Sequence, residues 1–160
     1  MSKYLGIDSS TQSMTGLIID IQSGQISAEE SIGFDAHFKS AYGIENGILD
    51  MGGGQIHSPP LMWAEALDLL FQTLRDRGCN LGEIRAIAGS GQQHGTVYLN
   101  NQAAGTLDRL DAGRTLAEQI QGVFSRPTAP IWMDTSTTSQ CQEIERNVGG
   151  RDALLELTGN

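Results

Sequence analysis

Short apolar runs separated by polar turns open the chain. Residues 4–7, 14–20 and 26–34 each combine apolar and β-branched positions and predict three strands. Ser23 and Gly24 between the second and third run have the composition of a hairpin turn. Because short connections join antiparallel strands, these runs predict an antiparallel meander at the start of a sheet.

Segment 35–60 has five glycines and no sustained period of hydrophobic residues, so we predict a long loop there. A helical pattern follows, with apolar residues three or four positions apart from Leu61 to Leu74. Pro60 at its start and Gly78 after its end are typical helix boundaries. A strand at 84–88 then favours a crossover connection onto the same sheet.

The remaining residues predict shorter elements. They are a strand at 96–99, a helix at 113–121, a strand at 129–133, a helix from 135 or 136 to 148, and a helix at 151–157. Strands alternating with helices indicate an α/β fold with a mixed sheet and helices packed on it.

Composition narrows the function. The chain has 160 residues, enough for one domain or a large subdomain, and a net charge of −9 without a cluster of Lys or Arg. Such a surface repels nucleic acids and anionic lipids, so we expect neither as a partner. Cys79 and Cys141 show no zinc or disulfide spacing. No signal peptide or membrane span is predicted, which favours a cytoplasmic location.

The turn after the first predicted strand carries Asp8, Ser9, Ser10 and Thr11. An Asp at a strand end can hold a divalent cation, and the hydroxyl and N–H groups of a tight turn can bind phosphate oxygens. This combination suits Mg²⁺-nucleotide chemistry. The alternative is a structural turn, in which Asp and Ser side chains cap backbone groups.

A second polar turn follows the strand at 84–88. Gly91 and Gly95 flank Gln93 and His94, whose amide and imidazole groups can bind sugar hydroxyls through both donors and acceptors. A polar surface turn is the alternative. His37 and His57 lack a ligand spacing, and we interpret both as structural or solvated.

Trp132 and Asp134 form a third candidate pair at the end of the strand predicted at 129–133. Residues two apart share one face of a strand, so an indole that stacks on a sugar would lie beside a carboxylate that binds a hydroxyl. A core Trp and a helix-capping Asp are the structural alternative.

Taken in order, these motifs resemble the FGGY family of carbohydrate kinases. The similarity is carried by "SPPLMWAEALDLL" (58–70), "GSGQQHGTVYL" (89–99) and "IWMDTSTTSQCQEIE" (131–145). It runs from Tyr4 to Gly159 and is greatest with the branch that phosphorylates D-xylulose.

The resemblance implies a ribonuclease H-like, actin-like ATPase domain and transfer of a phosphoryl group from ATP, with Mg²⁺, to a ketopentose, D-xylulose first. It also implies roles for particular residues: Asp8 for the metal, Thr11 and Ser10 for phosphate, and His94, Gln93, Asp134 and Trp132 for the sugar.

The family's catalytic base is an Asp in a Gly-rich motif, and residues 1–160 contain no such motif. We therefore expect this chain to be the N-terminal part of the first domain, without a catalytic residue and inactive alone. Missing sheet partners would leave an unpaired edge, so homodimer formation is a hypothesis. The rival functions are an FGGY kinase for another sugar or polyol and a non-catalytic sugar-binding or interaction module.

Overall fold

The computed structural model describes residues 2–159, and Met1 and Asn160 lie outside the described residues. The strands are β1 (Lys3–Ser9), β2 (Ser13–Asp20), β3 (Gln25–Gly33), β4 (Leu49–Gly52), β5 (Gln55–Ser58), β6 (Ile84–Gly91) and β7 (Ala129–Pro130). The helices are α1 (Phe34–Tyr42), α2 (Pro60–Asp76), α3 (Ala103–Leu107), α4 (Leu116–Ile120), α5 (Thr138–Asn147) and α6 (Arg151–Thr158), with one 3-10 turn, Leu81–Glu83.

The main sheet is mixed and has the strand order β3-β2-β1-β6. β1 pairs antiparallel with β2, and β2 pairs antiparallel with β3, so the predicted meander is confirmed. β6 returns after α2 and pairs parallel with β1, which confirms the predicted crossover. A smaller antiparallel sheet, β4-β5-β7, accompanies the main one.

Helix α2 covers one face of the main sheet. Its most deeply buried side chains, Met62, Ala66, Leu70 and Leu74, recur every four residues and pack with the strands into one core. Gly16 on β2 lies under Leu70, where an added Cβ would approach the Leu70 Cδ2 atom to 3.0 Å. The absence of a side chain at this position therefore lets the helix sit close to the sheet.

The loop predicted for residues 35–60 is wrong. Helix α1 and the β4–β5 hairpin occupy most of that segment. Phe34 and Phe38, four residues apart, are buried on one face of α1, and Gly43 in the left-handed region ends the helix. The burial of two aromatic side chains outweighs the low periodicity of the surrounding glycine-rich sequence.

Two predicted strands are also corrected. Residues 96–99 form no strand, and only Leu99 makes an isolated bridge, with Phe124. The strand predicted at 129–133 is limited to Ala129–Pro130. It ends there because the Asp134 N–H donates to the Ile131 carbonyl at 2.9 Å and closes a turn.

The later helices follow the prediction more closely. The helix expected at 113–121 is present as the shorter α4, and α5 and α6 agree with their predicted ranges to within three residues at each end. Helix α3 was not predicted. Between residues 2 and 159, no helix has the length and apolar character needed to cross a membrane.

One carboxylate fixes the chain between α1 and β4. Asp35, in the first turn of α1, accepts hydrogen bonds from the N–H groups of Gly47 at 2.7 Å and Asn46 at 2.8 Å. These donors, that of Gly47 first, hold the pKa of the Asp35 carboxyl below its ordinary value of 3.8. The charged form of Asp35 is therefore favoured by folding.

We expect Asp35→Asn to lower the melting temperature at pH 7 and to lose that effect in acid. A group with a depressed folded pKa contributes its stability above pH 3.8 and loses it as the pH falls through the folded pKa. Thermal unfolding of both proteins at pH 7 and at about pH 3 measures the difference. Asp108→Asn, at an exposed position, is the control. A deficit that is equally large in acid would contradict this account.

Candidate functional site

Three turns from distant parts of the sequence meet beside the carboxyl ends of β1 and β6. They are residues 9–13 at the connection from β1 to β2, residues 91–95 at the end of β6, and residues 131–134 after β7. The parallel register places Asp8 opposite Ser90 and Ser9 opposite Gly91. Hydrogen bonds described below join the turns, so the three candidate motifs belong to one site.

Asp8 lies inside β1, one residue before its end, and is exposed. Side chains alternate along a strand, so Asp8 projects from the face opposite buried Leu5. The Ser90 hydroxyl donates to Asp8 Oδ1. No group of three or more His, Cys, Asp and Glu able to hold a metal occurs within residues 2–159.

The hydroxyl groups of the first turn differ in what they can offer. Ser10 Oγ donates to the Ser13 carbonyl at 3.1 Å and accepts from the Ser13 N–H at 3.3 Å, so it closes its own turn. Thr11 Oγ1 accepts from Trp132 Nε1 at 3.1 Å. This bond leaves the Thr11 hydroxyl proton available to an outside acceptor. Of the two hydroxyl groups, Thr11 therefore keeps a free donor, whereas the Ser10 donor is used within its own turn.

Gly47 supports this turn from behind. Its φ is +80°, and a Cβ there would overlap the Thr11 carbonyl oxygen and press on Gln12. Its carbonyl accepts from the fully buried Ser58 hydroxyl at 3.1 Å, while its N–H is held by Asp35. The backbone at Gly47 is thus fixed on both sides, and only glycine fits between it and the Thr11 turn.

Gln93 and His94 form the tip of the second turn, and both side chains are exposed. His94 has φ of +59°, a conformation that non-glycine residues adopt rarely and usually at turns or functional sites. Neither side chain hydrogen-bonds to another residue within the described range. Both therefore present free donors and acceptors to solvent.

Trp132 and Asp134 do not share a strand face, because they lie in the turn after β7. Trp132 is 55% exposed, so it is not a core residue. Asp134 is engaged at both oxygens: Oδ2 accepts from the Ile56 N–H at 3.0 Å, and Oδ1 accepts from the Ser136 hydroxyl at 2.6 Å. Its contacts in this structure are internal, and sugar binding by Asp134 stays a prediction.

The pKa of the Asp134 carboxyl lies below 3.8, chiefly because the Ser136 hydroxyl donates to it, with further help from backbone N–H groups. His57 adds to this network: its Nε2 lies 3.4 Å from Asp134 Oδ2, and its Nδ1 lies 2.9 Å from Thr128 Oγ1. His57 is thus structural, as predicted, and His37 is exposed. The His57–Asp134 pair joins β5 to the third turn.

An open cleft of about 620 Å³ lies between the first and third turns. Its lining residues are Ser10, Thr11, Gln12, Asn46, Ile48, Trp132 and Met133. The structure therefore places Thr11, Ser10 and Trp132 in one cleft, while Asp8, Gln93 and His94 lie outside its lining. Sequence patterns placed Ser90 and Gln92 in the second motif but assigned neither a partner, because Asp8 and Ser10 lie 82 positions away and no spacing encodes such contacts. The role of Gly47 was not predicted.

Comparison with known proteins shows which proteins this chain is related to. Over 161 aligned positions the chain is 42% identical to xylulose kinase 2 of Arabidopsis thaliana, covering 99% of this chain and 28% of that protein. It is 38% identical to the xylulose kinase of Schizosaccharomyces pombe, covering 98% of this chain and 27% of that protein. The chain is related to the xylulose kinases of the FGGY family. The predicted resemblance is confirmed.

This relative of the xylulose kinases spans a little over a quarter of the length of the curated proteins it matches. A structure described as a xyloylose kinase from Brucella ovis superposes with a TM-score of 0.67 at 21% identity, over 99% of this chain and 26% of that chain. The predicted actin-like α/β fold is thereby confirmed. No protein-family model matches the chain.

Substitution of Gly47 tests whether the cleft depends on its close approach to Thr11. We expect Gly47→Ala to be at least about 2 kcal/mol more destabilising than Gly24→Ala. Both glycines have positive φ, but an added Cβ at Gly24 meets nothing within 4 Å. The control therefore carries the backbone strain without the overlap. Chemical denaturation of the two variants measures the difference, and equal losses would show that Gly47 is not close-packed.

Proposed function

We propose that the protein carrying this chain transfers the γ-phosphoryl group of ATP to a ketopentose, with D-xylulose as its first substrate and Mg²⁺ as its metal. The observation that carries the proposal is the joining of the three candidate motifs at the ends of β1 and β6. Identity to named xylulose kinases over nearly the whole chain supports this substrate.

The first turn would serve the nucleotide. Asp8 has a second carboxylate oxygen beyond the one bound by Ser90, and it can hold Mg²⁺ directly or through water. Thr11 can donate its hydroxyl proton to a phosphate oxygen, because the Trp132 indole N–H already occupies one of its lone pairs. ATP and Mg²⁺ supply the phosphoryl group and neutralise its charge, which is how phosphoryl transfer is generally promoted.

The second turn would serve the sugar. Gln93 and His94 offer unpaired polar groups at an exposed turn, where His94 has a positive φ, and such groups suit recognition of several hydroxyl groups. The exposed face of Trp132 can stack on the apolar side of a sugar. Asp134 contributes by holding the third turn in place through Ile56 and Ser136.

The proton of the attacking sugar hydroxyl needs a base, and none of the proposed site residues in this chain is assigned that role. Asp8 is reserved for the metal and Asp134 is fully hydrogen-bonded. Catalysis would depend on a carboxylate supplied outside residues 1–160, so we expect no turnover by these residues alone. They would contribute positioning and electrostatic stabilisation.

Homodimer formation is a further part of the proposal. β6 forms an edge of the main sheet within the described residues, and Ile87 on it is 56% exposed. An unprotected strand edge can pair with a second copy. Light scattering after size-exclusion chromatography of the 160-residue chain would reveal a dimer, and a monomer at high concentration would contradict it.

Sugar-dependent ADP release tests the function. We expect the product of the complete reading frame to prefer D-xylulose over D-ribulose, L-ribulose, L-fuculose and glycerol. His94→Ala should lower kcat/KM for the sugar about 10- to 100-fold, because its hydrogen bonds to the substrate are lost. His94→Asn tolerates the left-handed backbone, and a similar loss there separates the lost imidazole from backbone strain.

His37→Ala, at an exposed position on α1, should retain full activity. Preference for another sugar or polyol would indicate an FGGY kinase with a different substrate. Absence of ADP release with every sugar would overturn the kinase proposal in favour of a non-catalytic sugar-binding module.

A further inference from the structure

Gln92 connects the two turns to which the proposed function assigns the sugar and the phosphates. It follows Gly91, the last residue of β6, and precedes Gln93 and His94. Its Nε2 donates a hydrogen bond to the Ser10 carbonyl at 3.1 Å, across 82 positions of sequence. Ser10 is the residue before Thr11, so one amide group joins the sugar-facing tip to the phosphate-facing hydroxyl.

The orientation of this amide follows from its partner. A backbone carbonyl only accepts, so the NH₂ group of Gln92 must face Ser10. The Oε1 atom then points away, where it is buried and has no hydrogen-bond partner among the described residues. A buried acceptor without a partner lowers stability. The residue is therefore poorly suited to packing alone, and an apolar side chain of the same length would fill this space better.

We propose that Gln92 is a positioning residue that couples sugar binding to nucleotide binding. Resting on the proposed function, this inference adds that the hydrogen bond to Ser10 fixes the position of Thr11 relative to Gln93 and His94. Contact of a sugar with the second turn would then restrict the first turn in its phosphate-binding position, and the reverse follows by thermodynamic linkage. Loss of the bond would leave both turns present but independent of each other.

Two substitutions separate this role from simple packing. Gln92→Met keeps the length of the side chain but removes both the donor to Ser10 and the unpaired acceptor. A packing role predicts that this variant binds both ligands as the wild type does, whereas a positioning role predicts a loss of coupling without a loss of melting temperature. Gln92→Glu keeps the shape and places an acceptor against the Ser10 carbonyl, so it should lose the coupling as well.

Isothermal titration of the full reading-frame product with D-xylulose, alone and with saturating Mg·ADP, measures the coupling. We expect Mg·ADP to change the wild-type Kd for the sugar by about 5-fold or more, within the usual range of coupling between sites. In Gln92→Met and Gln92→Glu the ratio of the sugar Kd values without and with Mg·ADP should fall below about 2. The control Gln22→Ala, in the exposed β2–β3 turn, should keep the wild-type ratio.

The outcomes separate the two proposals. Suppose that the wild type binds both ligands and that Gln92→Met has the same ratio of sugar Kd values without and with Mg·ADP. This result overturns the role of Gln92 and leaves the kinase function standing. The absence of coupling in the wild type does the same. A wild-type protein that binds neither ligand overturns the proposed function, and the role of Gln92 with it. A fall in melting temperature of Gln92→Met with unchanged coupling assigns the residue to packing.

Discussion

The parallel pairing of β1 with β6 is the constraint on which the rest of this structure depends. Parallel strands need a long crossover, and α2 supplies it while burying its apolar stripe on the sheet. Gly16 allows the close approach of that helix. Once the pair is in register, the turns after both strands lie at the same end of the sheet, that of the carboxyl ends of β1 and β6. β7 brings the third turn beside them. The site is thus a consequence of strand direction.

Internal hydrogen bonds hold the first and third turns in place, while groups that could bind a ligand stay accessible. Asp35 and Ser58 fix Gly47 against the Thr11 turn, and the Asp134 network fixes the turn that carries Trp132. These contacts satisfy the N–H and carbonyl groups of Gly47 and the N–H of Ile56, while Thr11 and His94 keep hydrogen-bonding capacity for a ligand. Contacts that are already made around the turns reduce, without removing, the ordering that ligand binding requires.

Sequence patterns predicted the parts of the fold that follow from local periodicity: the meander, α2, β6 and the approximate positions of α5 and α6. Helix α1 was missed although a signal existed, since Phe34, Phe38 and Tyr42 recur every four residues. The contact of His57 with Asp134 could not be predicted from residue spacing, because the two residues are 77 positions apart and only the fold brings them together. Candidate site residues were therefore easier to predict than the hydrogen bonds that position them.

The two margins of the main sheet differ in chemistry. At β3, Arg77 donates to the Glu29 carbonyl and lies 2.8 Å from the Glu30 carboxylate, so charged groups cover that margin. At β6, Arg85 is the sole charged side chain of the strand, and apolar Ile87 is exposed. Charge discourages strand addition, whereas a bare apolar margin permits it. Of the two margins, β3 is therefore the better shielded against pairing with a further strand.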